Sequence, residues 1–164
     1  MTKKKTSTVT KASSCTMGPG LTSTPSVLNI VTPFEQVRQF HRKFGLYFGA
    51  APRELTVHEH KARINHLYEE LYEYEKAVAE GDLEGQFDAL IDLVYVALGT
   101  ADFHNFPFDE GFAAVHEANM KKVRAKSAAE SKRNTKLDIV KPKGWKPANL
   151  AKLLLLNFAM KQHG

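Results

Sequence analysis

The sequence predicts an all-α fold, most simply a four-helix-bundle-like core with extra terminal segments, and three observations carry that reading. Apolar residues recur at the helical period through four segments between residues 31 and 126. Helix starts are marked by capping signals and stops by glycine. No stretch alternates apolar with polar residues long enough to argue a sheet. The length of 164 residues suits one domain with a sizeable core.

Residues 1–30 are rich in Lys, Thr, Ser, Gly and Pro, and this composition cannot offset the entropy of ordering. They are expected to form a flexible arm. Thr32-Pro-Phe-Glu35 opens the first helix: Thr32 caps, Pro33 suits the first helical position and Glu35 completes a capping box. Phe34, Val37, Phe40 and His41 then share a face, and Gly45 stops the helix. Thr56-Val-His-Glu59 is a second capping box, opening a long helix whose stripe is Ile64, Leu67, Leu71, Tyr74 and Val78. Gly81 closes it and Asp82 starts a third helix with Phe87, Leu90, Ile91, Val94 and Leu98 as its stripe. So short a connection makes the two helices antiparallel neighbours.

Phe106-Pro-Phe-Asp109 breaks the chain, and Asp109 is a cap for a fourth helix using Phe112, Val115, Ala118 or Asn119, and Val123. Residues 31–126 form the expected core. Residues 127–164 comprise an irregular basic segment, in which Lys141-Pro-Lys-Gly-Trp-Lys-Pro147 excludes regular structure, and a short apolar helix from about Asn149 to Ala159 that packs on the core or on a partner subunit.

Charge is distributed unevenly. Residues 26–119 hold 16 acids against 7 Lys and Arg, whereas residues 120–146 hold 10 Lys and Arg against 2 acids. An acidic body followed by a basic segment suits a site where metal and phosphate meet; a basic tail for nucleic acid or solubility is the other reading. The one cysteine, Cys15, excludes an intrachain disulfide and fits a cytoplasmic setting. The longest apolar run, Leu153–Leu156, is far too short to span a bilayer.

Acids crowd the two central helices. Glu70 and Glu73 are three residues apart, Glu69 and Glu73 four, and Asp88 and Asp92 four, so each pair shares a helix face. In a hairpin turning near residue 81 the two sets lie at matching heights. Solvent can relieve the repulsion on an exposed face; a hard divalent cation such as Mg²⁺ or Mn²⁺ relieves it between facing helices. A di-iron bundle needs Glu-x-x-His motifs, and none of the seven histidines has a glutamate three residues before it. Zinc lacks a Cys/His cluster. No Ser or Cys nucleophile has a convincing base, and no Walker-type loop is present, so water is the expected nucleophile.

Four motifs in order carry a resemblance. Glu69-Glu-Leu-Tyr-Glu73 resembles the Glu-Glu-x-x-Glu half of the MazG-like, all-α nucleoside triphosphate pyrophosphohydrolases, and Asp88-Ala-Leu-Ile-Asp-Leu-Val-Tyr-Val-Ala-Leu-Gly-Thr-Ala101 resembles the second half. Val115-His-Glu-Ala-Asn-Met-Lys-Lys122 is similar to their Asn-Met-x-Lys element, and Lys141–Pro147 to their Lys-Pro-x-Gly-Trp-x-Pro segment. The likeness is closest to phosphoribosyl-ATP pyrophosphohydrolase-like members carried by phages, which places the protein in a host cytoplasm, and covers residues 33–155. It implies Mg²⁺-dependent hydrolysis of an NTP or dNTP to the monophosphate and pyrophosphate. Glu70, Glu73, Asp88 and Asp92 would be metal ligands, Glu69 would ligate a further metal or help to activate water, and Asn119 and Lys122 would hold the nucleotide or its phosphates. One departure stands out: the commoner Glu-x-x-Asp pattern would put an acid at Ala89, one residue after Asp88. A homodimer or homotetramer is expected, partly by resemblance and partly because a lone helical hairpin leaves apolar faces uncovered.

Two other functions fit parts of the sequence. The basic segment could bind nucleic acid, a reading weakened by its lack of aromatic residues apart from Trp145. A regulatory module could bind nucleotide without turnover. For Trp145, pinning the tail to the bundle is the better reading than stacking on a base.

Overall fold

The computed structural model describes residues 31–46, 49 and 51–162, so the arm expected over residues 1–30, with Cys15, lies outside the described residues. Five helices make up most of them: α1 (Pro33–Lys43), α2 (Val57–Glu80), α3 (Leu83–Phe103), α4 (Phe108–Met120) and α5 (Leu150–Gln162). The fold is all-α. The basic segment is less irregular than expected, because β1 (Val123–Arg124) and β2 (Ile139–Val140) pair antiparallel, Val123 opposite Val140. Two residues per strand are too few to show a period of two. No described helix is long and apolar enough to cross a membrane.

The helix ends follow from local chemistry. Thr56 accepts from the Glu59 amide while the Glu59 carboxylate accepts from the Thr56 amide at 2.7 Å, a complete capping box. Arg53 grips the same carboxylate at 2.6 Å, and together these donors hold the Glu59 carboxyl down at about 2. At α1 only half of the expected box forms. Thr32 accepts from the Glu35 amide, but the Glu35 carboxylate turns to Arg38 and Arg42 instead. Gly81 takes the left-handed conformation at φ 69° and Asp82 accepts from the Gly85 amide, so α2 and α3 form the antiparallel hairpin. Asp109 does not cap α4: it lies one residue inside the helix and accepts from the Thr32 hydroxyl at 2.9 Å, tying α4 to the start of α1.

The core sits between α1 and the C-terminal half of α3, where Phe34, Val37, Leu98 and Ala101 are buried together with Phe108 packed against them. A polar cluster is sunk beside it. Asp102 receives Arg38 Nε at 3.2 Å and His41 Nδ1 at 2.7 Å, with His41 and Asp102 both buried. An ionised carboxylate only accepts, so the imidazole carries its proton on Nδ1. From α2, Arg63 donates to the Val96 carbonyl at 2.8 Å and to the Thr100 hydroxyl at 3.0 Å, joining α2 to the same stretch of α3. Gly99 makes that convergence possible, since a Cβ there would stand 3.2 Å from the His41 ring and 3.3 Å from the Arg63 guanidinium.

Of the apolar stripes of the hairpin only Leu98 enters the core, and Leu67 and Tyr74 are half-buried. Ile64, Leu71 and Val78 of α2, and Phe87, Leu90, Ile91 and Val94 of α3, are all more than 40% exposed. The hairpin closes instead over Ala77, Ala89 and Val96. Among the described residues, α1 packs on the far half of α3 and leaves this apolar face exposed.

Candidate active site

The antiparallel hairpin sets the acids of α2 against those of α3. Glu70 points inward, with its side chain only 12% exposed. Burial pushes its carboxyl above the ordinary carboxylate range, and the negative charges of Asp92 across the hairpin and Glu73 one turn on push it the same way. His66, one turn before, opposes this with Nε2 at 3.3 Å from Glu70 Oε1, and Glu69 adds a smaller upward push. Glu69, Glu73, Asp88 and Asp92 are all exposed.

Asp92 lies close enough across the hairpin for its charge to push the Glu70 carboxyl up. Asp88, four residues before Asp92, and Ala89, three before it, both share its side of α3. Ala89 is 3% exposed and fills the inward place with a methyl group, whereas Asp88 is exposed, as Asp92 is.

The second element is at the end of α4. Asn119 is exposed, and its carbonyl accepts the Lys122 amide at 3.0 Å. Lys122 is half-buried with its ammonium 5.3 Å from the centre of the Trp145 ring. Trp145 is pinned as expected: its indole N–H donates to the Ala118 carbonyl at 2.7 Å. Of the cations beyond α4, Arg133 is already held by Asp138 at 2.7 Å.

Sequence reasoning undervalued His66 and missed Arg63. The spacing of His66 and Glu70 was a readable signal, being one helical turn. Arg63 gave none, since its partners are a backbone carbonyl and a threonine more than thirty residues on.

The donors near Glu70 are hard carboxylate oxygens, with one imidazole at the rim. Among the described residues, no three or more Asp, Glu, His or Cys side chains are gathered closely enough to hold a metal ion as they stand. The acids that lie across the hairpin carry more negative charge than His66 can offset. That donor chemistry fits a hard divalent cation bound after small side-chain turns.

Residues 37–119 match the model of a protein family described as phosphoribosyl-ATP pyrophosphohydrolase. The match takes in both acidic stretches and ends on Asn119, so Lys122 and Trp145 lie beyond it. No curated protein matches the chain.

Proposed function

The chain belongs to the phosphoribosyl-ATP pyrophosphohydrolase family, a family of hydrolases that act on phosphoric anhydrides, and from that premise we propose that it hydrolyses a nucleoside triphosphate, ribo or deoxy, to the monophosphate and pyrophosphate with Mg²⁺ or Mn²⁺. The observation that carries this reading is Glu70, a carboxyl kept from solvent and crowded by Asp92 and Glu73, which is what a cation site looks like before the cation binds.

In this reading Glu70, Glu73 and Asp92 would hold the metal, with Asp88, one residue out of the commoner spacing, as a fourth ligand acting directly or through water. The chemistry a bound Mg²⁺ supplies is neutralisation of phosphate oxygens and a lowered pKa for a coordinated water. Glu69 takes the proton from the attacking water, which adds to phosphorus as the anhydride oxygen departs with pyrophosphate. His66 aims the Glu70 carboxylate. Asn119 and Lys122 bind the substrate's polar groups and phosphates, and charge-assisted hydrogen bonds from Lys122 stabilise the leaving group. The exposed face of α2 and α3 pairs with a second copy, giving a homodimer or homotetramer.

The test is a pyrophosphate-release assay, coupled to inorganic pyrophosphatase, over all NTPs, dNTPs and phosphoribosyl-ATP. Turnover of at least one nucleotide, absent in Glu73→Gln, is expected. No turnover of any of them, at protein levels where Glu73→Gln is equally silent, contradicts the reading.

Two smaller predictions follow from the same residues. A carboxyl raised in the folded state stabilises the fold fully below its unfolded value near 4.5, and that stability is lost as pH rises through the folded value. Metal-free Glu70→Gln should therefore be more stable than the wild type at neutral pH, by ~0.5 kcal/mol, the scale of one like-charge pair on a helix. Mg²⁺ should raise the Tm of the wild type and not of the variant, which differential scanning fluorimetry reads directly. For the assembly, a double change Phe87→Lys and Ile91→Lys places two charges on the exposed face. Sedimentation velocity should then show monomer where the wild type sediments as dimer or larger.

A further inference from the structure

Trp145 holds more than the tail. Its ring carries two ammonium groups, Lys122 Nζ at 5.3 Å and Lys141 Nζ at 4.6 Å from its centre, both within cation–π range. The ring itself is fixed by the 2.7 Å bond to the Ala118 carbonyl and by a turn in which the Trp145 amide donates to the Pro142 carbonyl at 3.0 Å. Two nearby cations are already paired, Lys121 with Glu117 and Arg133 with Asp138, each at 2.7 Å. Lys122 and Lys141 have no carboxylate within ion-pairing distance among the described residues. Two like charges gathered on one indole, without an acid, repel each other until an anion arrives.

We propose that Lys122, Lys141 and Trp145 form a clamp for the phosphate chain of a polyphosphate, in which Lys141 is a second phosphate ligand beside Lys122 and Trp145 is the residue that positions both. A lysine ammonium is a mobile point charge with three donors, suited to phosphate but poorly directed on its own. Resting two of them on a ring anchored to α4 removes much of that freedom before binding, so less ordering entropy is lost in the complex. The chain order explains how the pair forms. Lys122 follows α4 directly, whereas Lys141 returns to it across the β1–β2 ribbon. The biological ligand, the triphosphate of a nucleotide, rests on the proposed pyrophosphohydrolase activity, whereas binding of the anion itself needs no turnover.

Trp145 is the only tryptophan in the chain, so its emission reports on the clamp. Inorganic tripolyphosphate is titrated into the full chain with EDTA present, and intrinsic fluorescence is followed. A saturable change is expected, because phosphate bound to the two ammonium groups neutralises the charge that rests on the ring. Lys122→Gln and Lys141→Gln should each weaken binding about tenfold, the order of one charge-assisted hydrogen bond, and the double change should abolish the signal. Lys143→Gln is the charge-matched control from the same segment and should bind within twofold of the wild type. An unchanged emission maximum without ligand shows that each variant keeps Trp145 in its place. No saturable change in the wild type, or a loss in Lys143→Gln as large as in Lys141→Gln, overturns the clamp. Tripolyphosphate binding without any nucleotide turnover keeps the clamp and removes only the proposed activity.

Discussion

Asp92→Asn is expected to lower pyrophosphate release by about a thousandfold or more while leaving the helical content and Tm close to those of the wild type. The large effect comes from charge. A neutral amide in place of the carboxylate removes an α3 acid whose charge acts on Glu70, and a metal-assisted hydrolysis would lose both its cation and its activated water together. The small structural effect comes from exposure: Asp92 lies at the surface and makes no hydrogen bond that the fold depends on. Removing it even relieves repulsion on Glu70. Asp88→Asn should cost less, roughly tenfold, because Asp88 stands one residue out of the commoner acidic spacing and is proposed as a supporting group. Steady-state rates of the two variants, at saturating nucleotide and Mg²⁺, check the order.

Asp102→Ala should have the largest effect on stability, about 3–5 kcal/mol, the usual cost of breaking a buried ion pair by removing one partner. It leaves Arg38 and the buried His41 without their acceptor, contacts of 3.2 Å and 2.7 Å at the seam of α1 and α3. Thermal melting should show a Tm lower by about 10 °C or more. His41→Leu together with Asp102→Leu should lose far less than Asp102→Ala, because an apolar pair leaves only Arg38, which reaches solvent, to find a new partner. Equal losses would mean that packing, rather than the unpaired charges, sets the cost.

What the sequence discloses is local. The caps at Thr32, Thr56 and Asp82, the glycine stop at residue 81 and the start of α5, where Asn149 accepts from the Lys152 amide, depend on residues within one turn of each other. Their chemistry is legible from spacing alone. The facing of Glu70 and Asp92 was also legible, because a tight hairpin converts distance from the turn into height. What covers a stripe is another matter. Periodicity identifies Leu71 and Phe87 as apolar-face residues but holds no information on whether α1, α4 or a second chain lies against them, and in this chain neither is buried. Asp109 has the residue type of a cap, yet the Thr32 hydroxyl seventy-seven residues away claims it. The bond from Trp145 to Ala118 and the gathering of Lys122 and Lys141 are likewise long-range, set by how the basic segment folds back. A slip of one residue, Asp88 for Ala89, was visible as a departure in the sequence; that Ala89 is the buried position of the two needed the structure.

The acids of α2 and α3 are proposed to form one metal-dependent anhydride-hydrolysing site. Phosphorus NMR of the products from a cleaved nucleoside triphosphate, with Mg²⁺ and with EDTA, tests it most directly. The account predicts monophosphate and pyrophosphate in equal amounts, formed only with the metal and lost in Asp92→Asn. Diphosphate with orthophosphate, or turnover that persists in EDTA or in Asp92→Asn, would contradict it.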